Sequence, residues 1–420
     1  MRRARVYPYR WAVLIALMSV ALVCQMQWLA LAPIARAANN FYANQGVDFL
    51  ALVFFLVFII ISLHYAVIYK KLGQKWTLRL ASLLLIIFSL LKGVASRYYW
   101  VVLLSQGFLA VSYSLILNSV SLVSERWFAL PERGFAVALV VLAQFLGLIL
   151  VMAVNPRVVV NTPSASNYGA GVEHLQFYLA LVSVAVSLVA FFLFRERPPT
   201  PAGKEEGNYE KLSTSFKAMF AKKSMVGFIP IFALVWGLFY ALIAQIDSLA
   251  TFIGVENSNG VAGLIILGAG MLGSLVIPYL SDYFRKRKLF FFFCLSGLFL
   301  GFLAFALLPL MGHALIFGYI ATGFIGFFFQ SAISLGFQWA TELSYPTKET
   351  SVQSVLLWSG HLSGAVFLTL MSVVRVILWR HVVVASVVLL FISTLGLLFV
   401  QESPVIVTEE EKFASAMEEE

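Results

Sequence analysis

Apolar residues in this chain run in long unbroken blocks, set apart by short clusters of charge, glycine and proline. Neither the two-residue alternation of a half-buried strand nor the narrow stripe of a surface helix describes them. A bilayer core asks for about 20 consecutive apolar residues per helix, and in hydrocarbon the backbone must satisfy its own polar groups. Twelve blocks meet that condition, near residues 10–33, 47–69, 76–96, 99–122, 134–155, 174–194, 225–253, 260–281, 288–310, 313–340, 351–373 and 379–400. The pattern predicts an all-α integral membrane protein. Its longest polar interruption is RERPPTPAGKEEGNYEKLSTSFKAMFAKKS, residues 195–224. The first part is rich in proline and charge and reads as linker, while 209–220 has the helical spacing of a short surface helix. The expected organisation is therefore a six-helix bundle over 1–195, a linker over 196–224, a second six-helix bundle over 225–402 and an acidic tail over 403–420.

Composition agrees with the pattern. Of 420 residues, 61% are hydrophobic and 12% charged, and the mean hydropathy is +0.91. Too few charges are available to clothe a soluble chain of this length. The basic start MRRARVYPYR resembles a signal-peptide flank, but the following apolar run reaches spanning length without a clean small-residue cleavage site. It is expected to stay as the first span. Cys24 and Cys294 both fall in apolar runs, so neither a structural disulfide nor a metal cluster is expected, and no cofactor is implied.

The net charge of +9 would suggest nucleic acid if it were a patch. Its distribution says otherwise. With the N-terminus placed inside, 23 Lys and Arg fall on the inner side and 6 on the outer side, the latter being Arg36, Lys92, Arg97, Arg157, Arg375 and Arg380. The positive-inside rule then puts both termini in the cytoplasm. A multi-pass protein of the cell membrane is expected, monomeric, with the lipid bilayer and a small-molecule substrate as partners and no nucleic acid.

The two predicted halves echo one another. ERWFALPERGFAVALVVLAQFLG (125–147) aligns without a gap on ELSYPTKETSVQSVLLWSGHLSG (342–364), pairing Glu125 with Glu342, Glu132 with Glu349, Gln144 with His361 and Gly147 with Gly364. Each stretch lies at the inner loop between the fourth and fifth spans of its half. Two parallel six-span repeats joined by a long inner loop resemble the major facilitator architecture. GSLVIPYLSDYFRKRK (273–288) resembles that fold's loop signature, an aspartate followed by basic residues, and implies a latch at Asp282. In the first half Lys70 stands where the aspartate belongs.

In such a fold the substrate site lies mid-membrane between the halves. Counting roughly 1.5 Å per residue from the inner boundary puts Gln144 and His361 about 15–16 Å deep, facing each other across the cavity. Trp28 and Tyr240 lie about 22–25 Å up by the same measure. This bears on LVCQMQWLALAP (22–33), where amides interrupt an apolar run at a cost unless they are paired. Gln25 and Trp28 share a helical face and are expected to look into the cavity, whereas Gln27 is expected to bond a neighbouring helix. Ser114, Asn118 and Ser121 in span four, with Gln330, Ser334 and Gln338 in span ten, form polar stripes toward the cavity or a partner helix. Arg36 and Asp247 are opposed charges in the outer parts of spans one and seven, a candidate gate. Glu125, Glu132, Glu342 and Glu349, with Arg126 and Arg133, are expected to close the inner face. His64, nearer an inner boundary, reads as structural.

The QW of span one, Gln144, FYALIAQIDSLATF of span seven and ELSYP…VLLWSGHLSG together resemble the feline leukaemia virus subgroup C receptor-related (FLVCR) transporters. That family carries choline and ethanolamine, with haem also proposed. The resemblance implies that Trp28 and Tyr240 cage a quaternary ammonium, with Gln144 beneath. The family's glutamine of the eleventh span is His361 here. As an intramembrane ionisable group, His361 could bond cargo, carry a coupled proton or satisfy a neighbour.

The function expected is a secondary transporter moving a small organic solute, choline or a related amine, by alternating access. An organic-anion or proton-coupled metabolite carrier of the same fold is the alternative, in which His361 and Arg36 would outweigh Trp28. No Gly-rich P-loop is present to use ATP, and span five lacks the Gly-Pro-rich signature of many drug/proton antiporters. No HExxH run or mid-span carboxylate pair supports an intramembrane enzyme.

Overall fold

A computed structural model describes residues 7–129, 132–199, 211–255, 259–311, 315–373 and 379–403. Arg375, Lys412, the early linker at 200–210 and the tail from 404 lie outside the described residues. Among those described, the regular structure is helical. The first half contains α1 (Tyr9–Trp28), α2 (Ala35–Phe41), α3 (Asp48–Val94), α4 (Tyr99–Trp127), α5 (Arg133–Val158) and α6 (Val172–Leu193). The short linker helix is α7 (Leu212–Phe220). Then come α8 (Lys223–Ala244), α9 (Ile246–Phe252), α10 (Val261–Phe284), α11 (Arg287–Leu307), α12 (Leu315–Leu343), α13 (Glu349–Val373) and α14 (Trp379–Gly396).

Among the described residues eleven segments are long and apolar enough to cross a bilayer, and one of them, α3, holds 47 residues. Kept straight, α3 would reach about 70 Å, more than twice the hydrocarbon thickness. It turns instead at Gly73, whose φ of 74° and ψ of 172° no side chain would tolerate. The turn makes two limbs, and twelve crossings result. The second limb needs partners for its first amides. Glu196, just past α6, accepts the Gln74 N–H at 3.0 Å and the Lys75 N–H at 2.7 Å.

The halves are built alike. In the first, α1 packs on α5 and α3 packs on both α4 and α6; in the second, α8 packs on α13, α10 on α12 and α11 on α14. Glycines permit close approach in the α1–α5 and α8–α13 pairs. A Cβ on Gly147 would sit 2.4 Å from the Leu22 carbonyl oxygen, and one on Gly237 would sit 2.3 Å from the Ser363 hydroxyl. The outer faces carry exposed Ile15, Ile60, Phe192 and Ile316, a surface suited to lipid.

Two spans are broken where the hydropathy runs on. The expected first span, 10–33, loses its helix at Trp28, with Leu29 at φ −102°, ψ 23°. The expected seventh, 225–253, breaks at Gln245, with φ −101°, ψ 26°. Carbonyls left open by the first break are taken by side chains. Gln106 Nε2 donates to the Gln27 and Trp28 carbonyls at 3.2 and 3.3 Å, and Lys92 Nζ donates to the Gln27 carbonyl at 3.3 Å. Beyond the breaks, α2 and α9 meet at the end of the molecule away from the linker. This is the far end; the other is the linker end.

Candidate functional site

A cavity of about 670 Å³ lies between α4 and α5 of the first half and α8, α10, α12 and α13 of the second. Its mouth at the linker end is bordered by Phe135, Glu349 and Gln353, and its closed end by Gln25, Gln144, Trp236, Tyr240 and Gln330. Among the lining residues the ionisable side chains are Tyr240 and Glu349, and none is cationic.

The two amides expected to look inward do so. Gln25 on α1 and Gln144 on α5 both line the cavity, and Gln25 Nε2 donates to Gln144 Oε1 at 3.0 Å. That bond meets part of the cost of placing amides in hydrocarbon. Three buried polar atoms on lining residues lack a hydrogen-bond partner: Gln25 Oε1, Gln330 Oε1 and Trp236 Nε1. Native interiors rarely leave such groups open, and here three of them adjoin one cavity.

Tyr240 is the hub of an aromatic cluster. Its ring centroid lies 5.2 Å from Trp236, 5.1 Å from Trp28, 6.0 Å from His361 and 6.1 Å from Phe55. The hydroxyl of Tyr113 lies beside both Gln25 and Tyr240. Tyr240 and Trp236 line the cavity, whereas Trp28 and His361 do not. Of the expected Trp28, Tyr240, Gln144, His361 and Gln25, the cavity is thus lined by Tyr240, Gln144 and Gln25. Trp28 is covered by Phe54, Phe55 and Tyr240, and its indole N–H donates to the Ala51 carbonyl at 3.2 Å. His361 stacks on Phe58 at 3.7 Å, with Nδ1 2.7 Å from the Leu357 carbonyl, and is 2% exposed. It does not look across at Gln144, because α13 turns that face toward α3. Trp236 was missed, although it stands one turn before Tyr240 in WGLFY, on the same face.

The polar stripes divide. Ser121, Gln330 and Ser334 line the cavity. Asn118 bonds Ser62 at 3.0 Å, Ser114 bonds the Ala110 carbonyl and Gln338 donates to Asp282 at 3.0 Å. Gln27 bonds Ser183 on α6 at 2.8 Å, the neighbour-helix contact its position suggested. His64 is exposed, with Nδ1 2.9 Å from the Ile60 carbonyl.

The far end is closed across the halves. Arg36 Nη2 lies 2.8 Å from Asp247 Oδ1, and the Arg36 backbone N–H donates to Asp247 Oδ2 at 2.8 Å. Nearby, the Met152 carbonyl packs against Gly260. At the linker end three arginines make ion pairs within their own half. Arg10 pairs with Glu132, Arg126 with Glu196 (3.0 Å), and Arg287 with both Asp282 and Glu342 (2.9 Å to the latter). Arg133 donates to the Phe128 carbonyl at 3.4 Å, Glu125 is buried and Glu349 borders the cavity mouth. These ion pairs brace each half, and the Ser121 hydroxyl donates to Gln353 Oε1 across the halves beside the cavity mouth. Partial burial works to raise the Glu196 carboxyl. The backbone N–H groups of Lys75 and Gln74, with the Arg126 guanidinium, outweigh burial and hold it below the usual carboxylate range.

Lys92, counted above as an outer-rim charge, is buried at 2% exposure. Its ammonium donates to the Gln27 carbonyl and to Gln27 Oε1 at 3.0 Å, at the broken end of α1. Beside it a cavity of about 20 Å³, lined also by Asp48, Trp28 and Gln106, has room for a water. The rim reading failed because the chain's hydropathy does not record that α6 closes over this turn, where Gly93 meets Ala180.

The Major Facilitator Superfamily model matches residues 13–368. The "Choline/ethanolamine transporter flvcr2a" of Danio rerio is 26% identical over 381 residues, covering 86% of this chain and 80% of its own length. The "Choline/ethanolamine transporter FLVCR1" of Felis catus is 25% identical over 377 residues, covering 85% of this chain and 66% of its own. Among solved structures, a D-xylose-proton symporter superposes with a TM-score of 0.72 at 12% identity, over 96% of this chain and 99% of that one.

Proposed function

The chain belongs to the Major Facilitator Superfamily, and from that premise we propose that it carries a small organic cation of the choline and ethanolamine class. It is a secondary transporter, with its two bundles rocking about a central site. We read the linker end as cytoplasmic, so that the chain stands inward-open in the cell membrane as a monomer, both termini inside.

One observation carries the choice of cargo. The closed end of the cavity is lined by the rings of Tyr240 and Trp236, with the buried amide oxygens of Gln25 and Gln330 behind them and no cationic side chain in the lining. An ammonium is attracted to ring faces, more strongly where water is excluded. A carboxylate or phosphate would find no partner of opposite charge, which weighs against the organic-anion reading. Trp28 lies between the cavity and the far end. It completes the cage once the far end opens and the inner mouth closes, while His361 backs Tyr240. In this scheme Arg36 and Asp247 hold the outer gate. Asp282, Arg287 and Glu342 stiffen one inner leaf, and Glu125, Arg126 and Arg133 stiffen the other.

The test is uptake of tritiated choline by proteoliposomes containing the full chain. Uptake is expected, with competition by ethanolamine and tetramethylammonium but not by small carboxylates. Tyr240→Leu should reduce it by about tenfold, the scale of a desolvated cation–π contact, while Tyr240→Phe keeps most of it. Movement of an organic anion and of no amine would overturn the reading.

A further inference from the structure

The cavity is large for a cargo as small as choline; 670 Å³ falls among sites that take drug-sized ligands. Polar groups lie at both ends of its lining, amides and ring donors at the closed end and Ser121, Glu349 and Gln353 by the mouth, with an apolar strip on one side between them. From there toward the mouth, α5 contributes Phe145, Leu142, Ala138 and Phe135, and α10 faces them with Leu275 and Pro278. From Gln144 to Phe135 this apolar trough runs about 14 Å along α5, the length of an extended decyl chain.

The trough has one sealed flank and one loose flank. Where α3 meets α13, Trp358 Nε1 donates to the Ile59 carbonyl at 3.1 Å, and Phe216 of α7 packs edge-on against Trp358 at 5.3 Å. Between α5 and α10, close approach is made at the far end, through Met152 with Gly260 and Gly263. Nearer the linker end, Leu142 is 46% and Leu275 70% exposed while both line the cavity. Both side chains therefore keep apolar surface accessible along this edge of the trough.

We propose that this cavity binds single-chain amphiphiles with a cationic head drawn from the bilayer. The ammonium sits against Tyr240 and Trp236, and the alkyl chain lies in the α5–α10 trough. This rests on the cation reading above and extends it. The head has the rings and the amide oxygens behind them, and the tail has apolar walls that a small cation leaves unused. Each methylene that enters the trough from water should tighten binding by about fourfold, less where it is drawn from lipid.

Equilibrium binding of tritiated octyltrimethylammonium to the purified full chain in a neutral maltoside tests this. Unlabelled tetramethylammonium, hexyl-, octyl- and decyltrimethylammonium serve as competitors, with octanesulfonate as the equal-length anion. Saturable octyl binding is expected, with competition strengthening at least tenfold from tetramethylammonium to octyl and no competition by the sulfonate. Leu142→Gln and Leu275→Gln should each lower the octyl-to-tetramethylammonium affinity ratio several-fold, and Leu142→Ile should preserve it. No saturable octyl binding, equal competition at every chain length, or equal competition by the sulfonate overturns the proposal. Choline uptake is read separately, so a flat chain-length series with intact uptake sinks the amphiphile site alone. Saturable octyl binding without uptake of any amine sinks the carrier reading alone.

Discussion

His361 shows how far a single position can be read. The gapless alignment of the two halves sets it in register with Gln144, yet the imidazole is stacked on Phe58 and bonded to its own helix, away from the cavity. A ring so enclosed is a packing element. His361→Gln is accordingly expected to keep at least half of choline uptake, with an unchanged uptake profile between about pH 6 and 8, the range in which an unperturbed imidazole would titrate. A profile that flattens in the variant would mark His361 as a proton carrier. Gln25, Gln144 and Tyr240 were legible because polar or aromatic groups in an apolar block must answer to something. Burial behind another ring, as at Trp28, was not, since hydropathy does not separate an aromatic facing a cavity from one facing its neighbour. Lys92 lies beyond such reading for the opposite reason: a cation near a span's end is normally solvated. Lys92→Met should lower the apparent stability of the full chain by about 1.5–3 kcal/mol, the worth of hydrogen bonds from a charged group. Lys92→Arg should recover part of it. Thermal unfolding in detergent measures both.

At the scale of elements, the twelve blocks of the hydropathy pattern correspond to twelve crossings, and the linker's helical spacing at 209–220 matches α7 (Leu212–Phe220). Boundaries on charge or glycine were readable. The breaks at Leu29 and Gln245 were not, because neither stands beside a glycine or proline and side chains from other helices stabilise the first. Gly73 was visible in the sequence, but its partner Glu196 lies more than a hundred residues away. That carboxylate joins α3, α4 and the end of α6, and its lowered pKa fixes the sign of a pH effect. A group more acidic in the folded state contributes stability that is complete above the ordinary carboxylate value and is lost as pH falls through the lower folded one. The melting temperature of the wild type should thus drop more steeply on acidification below about pH 4.3 than that of Glu196→Gln, which starts lower at neutral pH. Parallel curves would remove Glu196 from the element's support.

For the whole molecule, the closed far end and open linker end define one state of a cycle. Arg36 and Asp247 bridge the halves where α2 meets α9, with Asp247 1% exposed. Removing one partner of such a pair leaves the other poorly compensated. Asp247→Asn should therefore shift the population toward far-end opening by about tenfold or more. The readout is labelling of an introduced Ala32→Cys by a membrane-impermeant thiol reagent, against a background kept low by the burial of Cys24 and Cys294. Labelling no faster than in the Asp247 parent would leave the pair as mere bracing.

The severed ends of the two broken spans are not held alike. On α1, an ammonium and an amide from two other helices grip the last carbonyls. On α8, the Gln245 side chain donates to Ser372 at 3.1 Å, accepts from Ser248 at 2.9 Å and lies beside Asp48 at the start of α3 in the other half. In the proposed cycle, one leaf of the far-end doorway is tied within its own half and the other partly across the seam, so parting it must release the Gln245–Asp48 contact together with Arg36 and Asp247.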